Sequence, residues 1–248
     1  MSKIVLITGC SSGFGYITAK SLSERGFTVI PTARKKSDLK VLPNTVQLDV
    51  TWSQLKINRF IDSVIKKYGR IDVLINNAGY GHLGLIGDLT ADDVRGQLET
   101  NFVGSFKVIK SVLPHMRQME SGLILNVSSM LGLFSIPNHG IYSASKFALE
   151  GLSQSLRLEE AKSGVKVVMV NPGVFATSFR EKIKVAPKAV REIPSGANPL
   201  LFAKLVEKII NTKNPQPRYI VGKEALTVRT LLKMPTFLKD ILLRHYFT

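Results

Sequence analysis

Cysteine is nearly missing from this 248-residue chain: Cys10 stands alone, so no internal disulfide can form. A lone thiol fits a reducing compartment. No run approaches the roughly 18 consecutive apolar residues of a spanning helix. The opening MSKIVLITGC carries one lysine and a short apolar run ended by glycine. It lacks the longer apolar region and cleavage site of a secretory leader. The expectation is a cytoplasmic protein, with peripheral membrane association compatible with it. Histidine is sparse too. His82, His115, His139 and His245 are scattered without metal-ligand spacing, so no metal is expected.

Acidic residues are also scarce, 18 against 34 Lys+Arg, which gives a net charge of +16. Such a balance suits a nucleic acid, a membrane surface or an anionic small molecule. The cations are spread over many segments and form no basic arm, which argues against nucleic acid. Hydrophobic residues make up 44% and charged residues 21%, the composition of a globular chain able to bury a core.

What is present is an alternation of short β-branched runs with longer helical stretches. Strands are expected at 3–9, 27–33, 45–50, 71–79, 122–129, 165–173 and 218–222. Helices are expected at 14–25, 52–67, 91–99, 101–119 and 143–161. Several strands are apolar on both faces, as in a parallel sheet covered by helices on each side. The expected fold is α/β: a doubly wound parallel seven-stranded sheet in three α/β/α layers. With no linker or repeat visible, one domain over 1–248 is expected. Residues 174–224 would supply a substrate-covering segment and the last strand, and 225–248 a basic amphipathic tail.

The first strand runs into TGCSSGFG and then a helix. Gly9 permits a tight turn, Gly13 lets backbone approach a pyrophosphate, and Gly15 lets the helix pack closely. The helix N-terminus then offers N–H groups to the phosphates. The spacing Gly-x3-Gly-x-Gly, NNAG at 76–79, NVSS at 126–129, YSASK at 142–146 and NPG at 171–173 follow in order. This set resembles the short-chain dehydrogenase/reductase family over roughly residues 3–180, and it implies the Rossmann fold and nicotinamide chemistry. The resemblance assigns Gly9, Ser11, Ser12, Gly13, Phe14, Gly15, Asp49, Val50, Asn77, Ala78, Gly79, Pro172, Gly173, Val174 and Thr177 to the nucleotide. Asp49 would contact adenine, with Val50 packed on the ring. Bracing the sheet remains an equal alternative for Asn77.

The second strand ends at PTARKK with no acidic residue to bind both ribose hydroxyls of NAD. A cation there pairs with a 2′-phosphate, so Arg34 points to NADP(H) ahead of NAD(H). Pro31 removes a ladder donor near this strand end and blurs the alignment by a residue.

Hydride transfer at a carbon bearing oxygen needs a partner for the proton. Tyr142 and Lys146 lie at i and i+4, on one helix face. An ammonium beside the phenol would lower its pKa. Ser129, at the end of the fifth expected strand, lies where parallel sheets form ligand crevices. The resemblance makes Ser129, Tyr142 and Lys146 the catalytic group, with both Tyr142 and Lys146 also touching the cofactor. It gives Asn101 a water that feeds protons to the lysine; a helix N-cap is the alternative. A non-catalytic nucleotide-sensing module is the rival reading. It would not require this constellation.

Residues 130–141 are mostly apolar and should line the substrate pocket. His139, close to Tyr142 in sequence, reads first as a surface loop histidine, with substrate contact as the alternative. Phe175 and Phe179 in the following cover point to an apolar small-molecule substrate, lipid-, retinoid- or steroid-like. The tail at 225–248 has four cations, one acid and helically spaced apolar residues on either side of Pro235. It packs on the core or a partner subunit, or docks on anionic membrane. The family's long helices at 101–119 and 143–161 imply a homodimer or homotetramer.

Overall fold

The computed structural model describes residues 2–177, 183–185 and 196–247. Seven parallel strands form one sheet in the order β3-β2-β1-β4-β6-β7-β9. They are β1 (Ile4–Ile7), β2 (Thr28–Ala33), β3 (Val46–Gln47), β4 (Val73–Asn76), β6 (Gly122–Val127), β7 (Val165–Pro172) and β9 (Arg218–Val221). The order reverses between β1 and β4, so the carboxyl ends of these two strands open the crevice where such sheets bind ligands. Two further short strands, β5 (His82–Leu83) and β8 (Lys184–Val185), pair outside this sheet.

β1 and β4 are buried along their whole length, as strands covered on both faces must be. On one face α2 (Gln54–Tyr68), α4 (Gly104–Gln118) and α5 (Gly140–Glu159) cover the sheet. Ile57, Ile61, Val112, Met116 and Leu156 meet Leu6, Leu74 and Ile124 there. On the other, α1 (Gly13–Glu24) and α6 (Leu200–Asn211) bring Leu22, Phe202, Val206 and Ile209 against Val5, Ile75 and Val168. The two clusters and the sheet between them are the expected three layers. α3 (Ala91–Leu98) starts at a capping box between Thr90 and Asp93.

Pro31 costs the sheet nothing. Cys10 N donates to Thr32 O and Leu48 N to Ala33 O, so alternate β2 residues face β1 and β3. Pro31 faces the β3 side, where pairing begins only opposite Thr32. Arg34 therefore follows β2 without a bulge.

Two elements complete the chain. α7 (Ala225–Leu231) and α8 (Thr236–Phe247) lie on either side of Pro235. Val228 and Leu231 pack on Leu131 and Phe134, and Met234, Leu243 and the Tyr142 ring join the same cluster. The tail thus rests on the loop between Ser129 and Tyr142. Phe179 and the cationic stretch at 186–195 lie outside the described residues.

Candidate active site

The glycine loop is braced to the end of β4. Thr8 Oγ1 accepts from the N–H groups of Asn77 and Ala78, both at 2.9 Å. Asn77 Nδ2 donates to Thr8 O at 2.9 Å and Gly9 O at 3.0 Å. Asn77 therefore takes the bracing role. Gly9 has φ +75°, and a Cβ there would lie 2.8 Å from Ala78 Cα. Gly15 is needed for a different reason: its Cβ would lie 2.3 Å from Gly9 O and 2.5 Å from Asn77 Nδ2.

Ser12 precedes α1 without capping it through its side chain, and no acidic residue stands in the first turn. The start of α1 thus presents its positive dipole end, which favours an anion. With Ser11 and Gly13 this cradle fits a pyrophosphate. Thr177, past β7, closes on it, since a Cβ at Gly13 would lie 3.8 Å from Thr177 Cβ. Phe14 mainly joins α1 to its neighbours. Its ring stacks on Phe202 at 4.1 Å and meets Phe175 edge-on at 5.1 Å.

Arg34 is exposed just past β2, and its carbonyl accepts from Gln47 Nε2 at 3.0 Å. Its charge reaches the Tyr80 phenol. Burial pushes that phenol up and Asp93 adds to the rise, while Arg34 pulls it back. Asp49 Oδ1 accepts from Thr51 N at 2.9 Å and Thr51 Oγ1 at 2.8 Å, which fixes the turn into α2. Val50 is buried against the start of α4, where a Cβ on Gly104 would lie 2.7 Å from Val50 Cγ2. Most of its surface is thus spent on protein rather than left for a ring. At the end of β7, past Pro172, Glu224 Oε2 accepts from Val174 N at 3.3 Å. A Cβ on Gly173 would lie 2.3 Å from that oxygen.

Ser129, Tyr142 and Lys146 converge at the carboxyl end of β6. The Ser129 hydroxyl accepts from Leu131 N at 3.1 Å and is hydrogen-bonded to the Tyr142 phenol. Lys146 is buried; its Nζ donates to Val127 O at 2.9 Å and lies 5.8 Å from the centre of the Tyr142 ring. Burial pushes the Tyr142 phenol up to about 12, and the bond with Ser129 opposes the rise. The sequence reading expects a lowered phenol. The difference has a physical cause: the apolar cluster under α7 desolvates the ring, while Lys146 spends a hydrogen bond on Val127 O. A phenol held protonated suits an acid that delivers its proton to a carbonyl oxygen.

Asn101 is not an N-cap. α3 runs into α4 through a π-helical turn, Glu99–Val103. The extra residue in such a turn re-aims side chains. Asn101 points inward, accepting from Tyr80 N at 3.1 Å and donating to Tyr80 O and Ser145 Oγ, each at 3.0 Å. A Cβ on Gly79 would lie 3.0 Å from Asn101 Oδ1 and 3.8 Å from Lys146 Nζ, so both side chains face Gly79.

Three residues that sequence reasoning missed stand behind Lys146. Glu150, one turn further along α5, is buried. It accepts from Asn171 Nδ2 at 2.5 Å and Arg218 Nη2 at 2.6 Å. Asn171 also donates to Ser129 O at 2.9 Å. Burial lowers the Lys146 ammonium to about 8, and the Glu150 charge opposes that fall. The step of four from Tyr142 to Lys146 to Glu150 is a readable signal for Glu150. Asn171 and Arg218 reach it from β7 and β9.

The short chain dehydrogenase family model matches residues 3–188. A 3-ketodihydrosphingosine reductase of Bacteroides thetaiotaomicron is 37% identical over 99% of this chain and 98% of that protein. The crystal structure of a short-chain dehydrogenase from Streptomyces avermitilis is 31% identical, with a TM-score of 0.84 over 97% of this chain and 93% of that one. A structure of ElxO with NADP bound is 27% identical, with a TM-score of 0.79 over 92% of this chain and 100% of that one.

Proposed function

The chain belongs to the short-chain dehydrogenase family of oxidoreductases, and from that premise we propose an NADP(H)-dependent enzyme, built as one domain, that interconverts an alcohol and a ketone or aldehyde. The observation that carries this reading is the convergence of Ser129, Tyr142 and Lys146 beside the glycine loop. When bound, the nicotinamide supplies or accepts the hydride. Ser129 orients the substrate oxygen by a hydrogen bond. Tyr142 passes its proton to that oxygen during reduction. The Lys146 ammonium stabilises the phenolate left behind and holds the nicotinamide ribose. Asn101 holds a water that returns a proton through Lys146.

NADP(H) is supported by Arg34 at the end of β2 and by the nucleotide in the ElxO structure. Binding should be at least about tenfold tighter for NADPH than for NADH, the worth of one charge-assisted bidentate contact. Calorimetry on the wild type and on Arg34→Asp checks this. The variant should lose that preference; unchanged discrimination would remove Arg34 from the role.

An apolar ketone on a long alkyl chain is the proposed substrate class. It is supported by the apolar 130–141 loop and by the ketone named for the Bacteroides relative. Self-association as a homodimer or homotetramer would use α4 and α5, whose Phe106, Phe147 and Leu158 are exposed; a monomer by sedimentation velocity would count against it.

Glu150 is a positioning residue in this scheme. It raises the Lys146 pKa, so Glu150→Gln should let that pKa fall below about 8. Activity that needs the charged lysine is lost as pH rises through its pKa. The alkaline limb of kcat should therefore move to lower pH in the variant. A lowered kcat with an unmoved limb would leave Glu150 a purely structural role.

A further inference from the structure

α8 has two faces, and only one is spent on the fold. Leu243 turns inward to the cluster that holds Leu131 and Phe134. At about 100° per residue, Phe237, Leu238, Ile241 and Leu242 share the opposite side. They are exposed: Phe237 at 65% and Ile241 at 60%. Single exposed apolar side chains are ordinary, but a contiguous stripe marks a contact surface. Lys239 and Arg244 flank the stripe on its two sides. The neighbouring turn adds Leu226 and Leu232, both exposed, with Lys223, Arg229 and Lys233.

We propose that α7 and α8 dock the protein on an anionic lipid surface, with the α8 stripe sunk into the interface and the flanking lysines and arginines among the headgroups. Charge decides between occupants. Two copies of this face brought together would set cations against cations, with Asp240 alone to offset them on α8, on a chain of net charge +16. Anionic headgroups complement the same cations, each adding to the attraction while the apolar stripe supplies the burial. The inner face of the same helices rests on the loop between Ser129 and Tyr142. Docking therefore brings the catalytic end of the sheet to the membrane interface, where a long-chain substrate would reside.

The test is co-sedimentation of the full chain with vesicles of phosphatidylcholine, with and without phosphatidylglycerol. It is read without turnover, so it stands or falls apart from the enzymatic reading. The wild type should bind the anionic vesicles, bind the neutral ones weakly, and come off as salt rises. Phe237→Ser with Ile241→Ser should weaken binding by at least about tenfold, from lost apolar burial. Lys233→Glu with Lys239→Glu should weaken it on anionic vesicles alone. Phe237, Ile241 and Lys233 are exposed and Lys239 is half-buried, and unchanged thermal melting would show that the variants fold. Failure of the wild type to bind anionic vesicles would overturn the proposal. So would a dimer in solution that the Phe237→Ser, Ile241→Ser pair splits while vesicle binding is unaltered, since the stripe would then be a chain-to-chain contact.

Discussion

Tyr142→Phe should lower kcat by roughly 10²–10⁴-fold, the usual worth of a positioned acid–base group, while leaving NADPH affinity and thermal stability close to wild type. The substitution removes one oxygen. The ring stays in the cluster formed by Leu131, Phe134, Val228 and Leu231, so packing is kept. Lys146 keeps its hydrogen bond to Val127 O, and Ser129 keeps its bond from Leu131 N. What disappears is the proton at the substrate oxygen. KM should change far less than kcat, because the lost interaction belongs to the transition state. Steady-state kinetics paired with nucleotide titration separates the two. Retained turnover would mean that another group moves the proton.

Gly15→Ala should strike the nucleotide loop. The new Cβ would meet Gly9 O at 2.3 Å and Asn77 Nδ2 at 2.5 Å. Neither can withdraw easily, since Asn77 Nδ2 is bonded to Thr8 O and Gly9 O, and Thr8 Oγ1 holds Asn77 N and Ala78 N. Overpacking of this kind costs about 1–3 kcal/mol. A chain of this size loses roughly 2–4 °C of Tm for each kcal/mol. A fall of several degrees in calorimetry is expected, together with NADPH affinity reduced by at least about tenfold, because the displaced carbonyl belongs to the turn that feeds α1. Gly87→Ala is the control: a Cβ there meets nothing within 4 Å. Equal behaviour of the two variants would show that the loop is not built as described.

Much of the fold is legible in the chain because burial imposes a pattern. Ile4–Ile7 and Val73–Ile75 are apolar on both faces, so their central places in a parallel sheet can be read directly. β3 is shorter than its apolar run promises. Beyond Gln47, Leu48 N reaches Ala33 O, but Asp49 turns its carboxylate to Thr51 and ends the strand. The π-helical turn at Asn101 is a backbone register shift, which side-chain periodicity does not encode; two separate helices are the natural reading of 91–119. The pairing of β5 with β8 involves two residues each and leaves no pattern at all.

The site divides in the same way. Ser129, Tyr142 and Lys146 are legible as local motifs, and the structure brings them together. The direction of the Tyr142 shift was not, because it depends on desolvation by Val228 and Leu231, which are far away in the sequence. Asn171 and Arg218 escaped for the same reason: each reaches Glu150 on α5 from a strand later in the chain. For the tail, sequence left core packing and membrane docking as alternatives. In the structure the inner face of α8 packs through Leu243, and its outer face is left exposed.

The most direct measurement follows nicotinamide absorbance with NADPH and NADH side by side, over ketones, aldehydes and alcohols that range from long-chain and apolar to small charged sugars. NADPH-dependent reduction of a long-chain ketone is expected, with much weaker turnover with NADH and loss of the signal in Tyr142→Phe. Turnover confined to small charged sugars would contradict the substrate class. No turnover with any carbonyl or alcohol, with both nucleotides tried, would contradict the account at its centre.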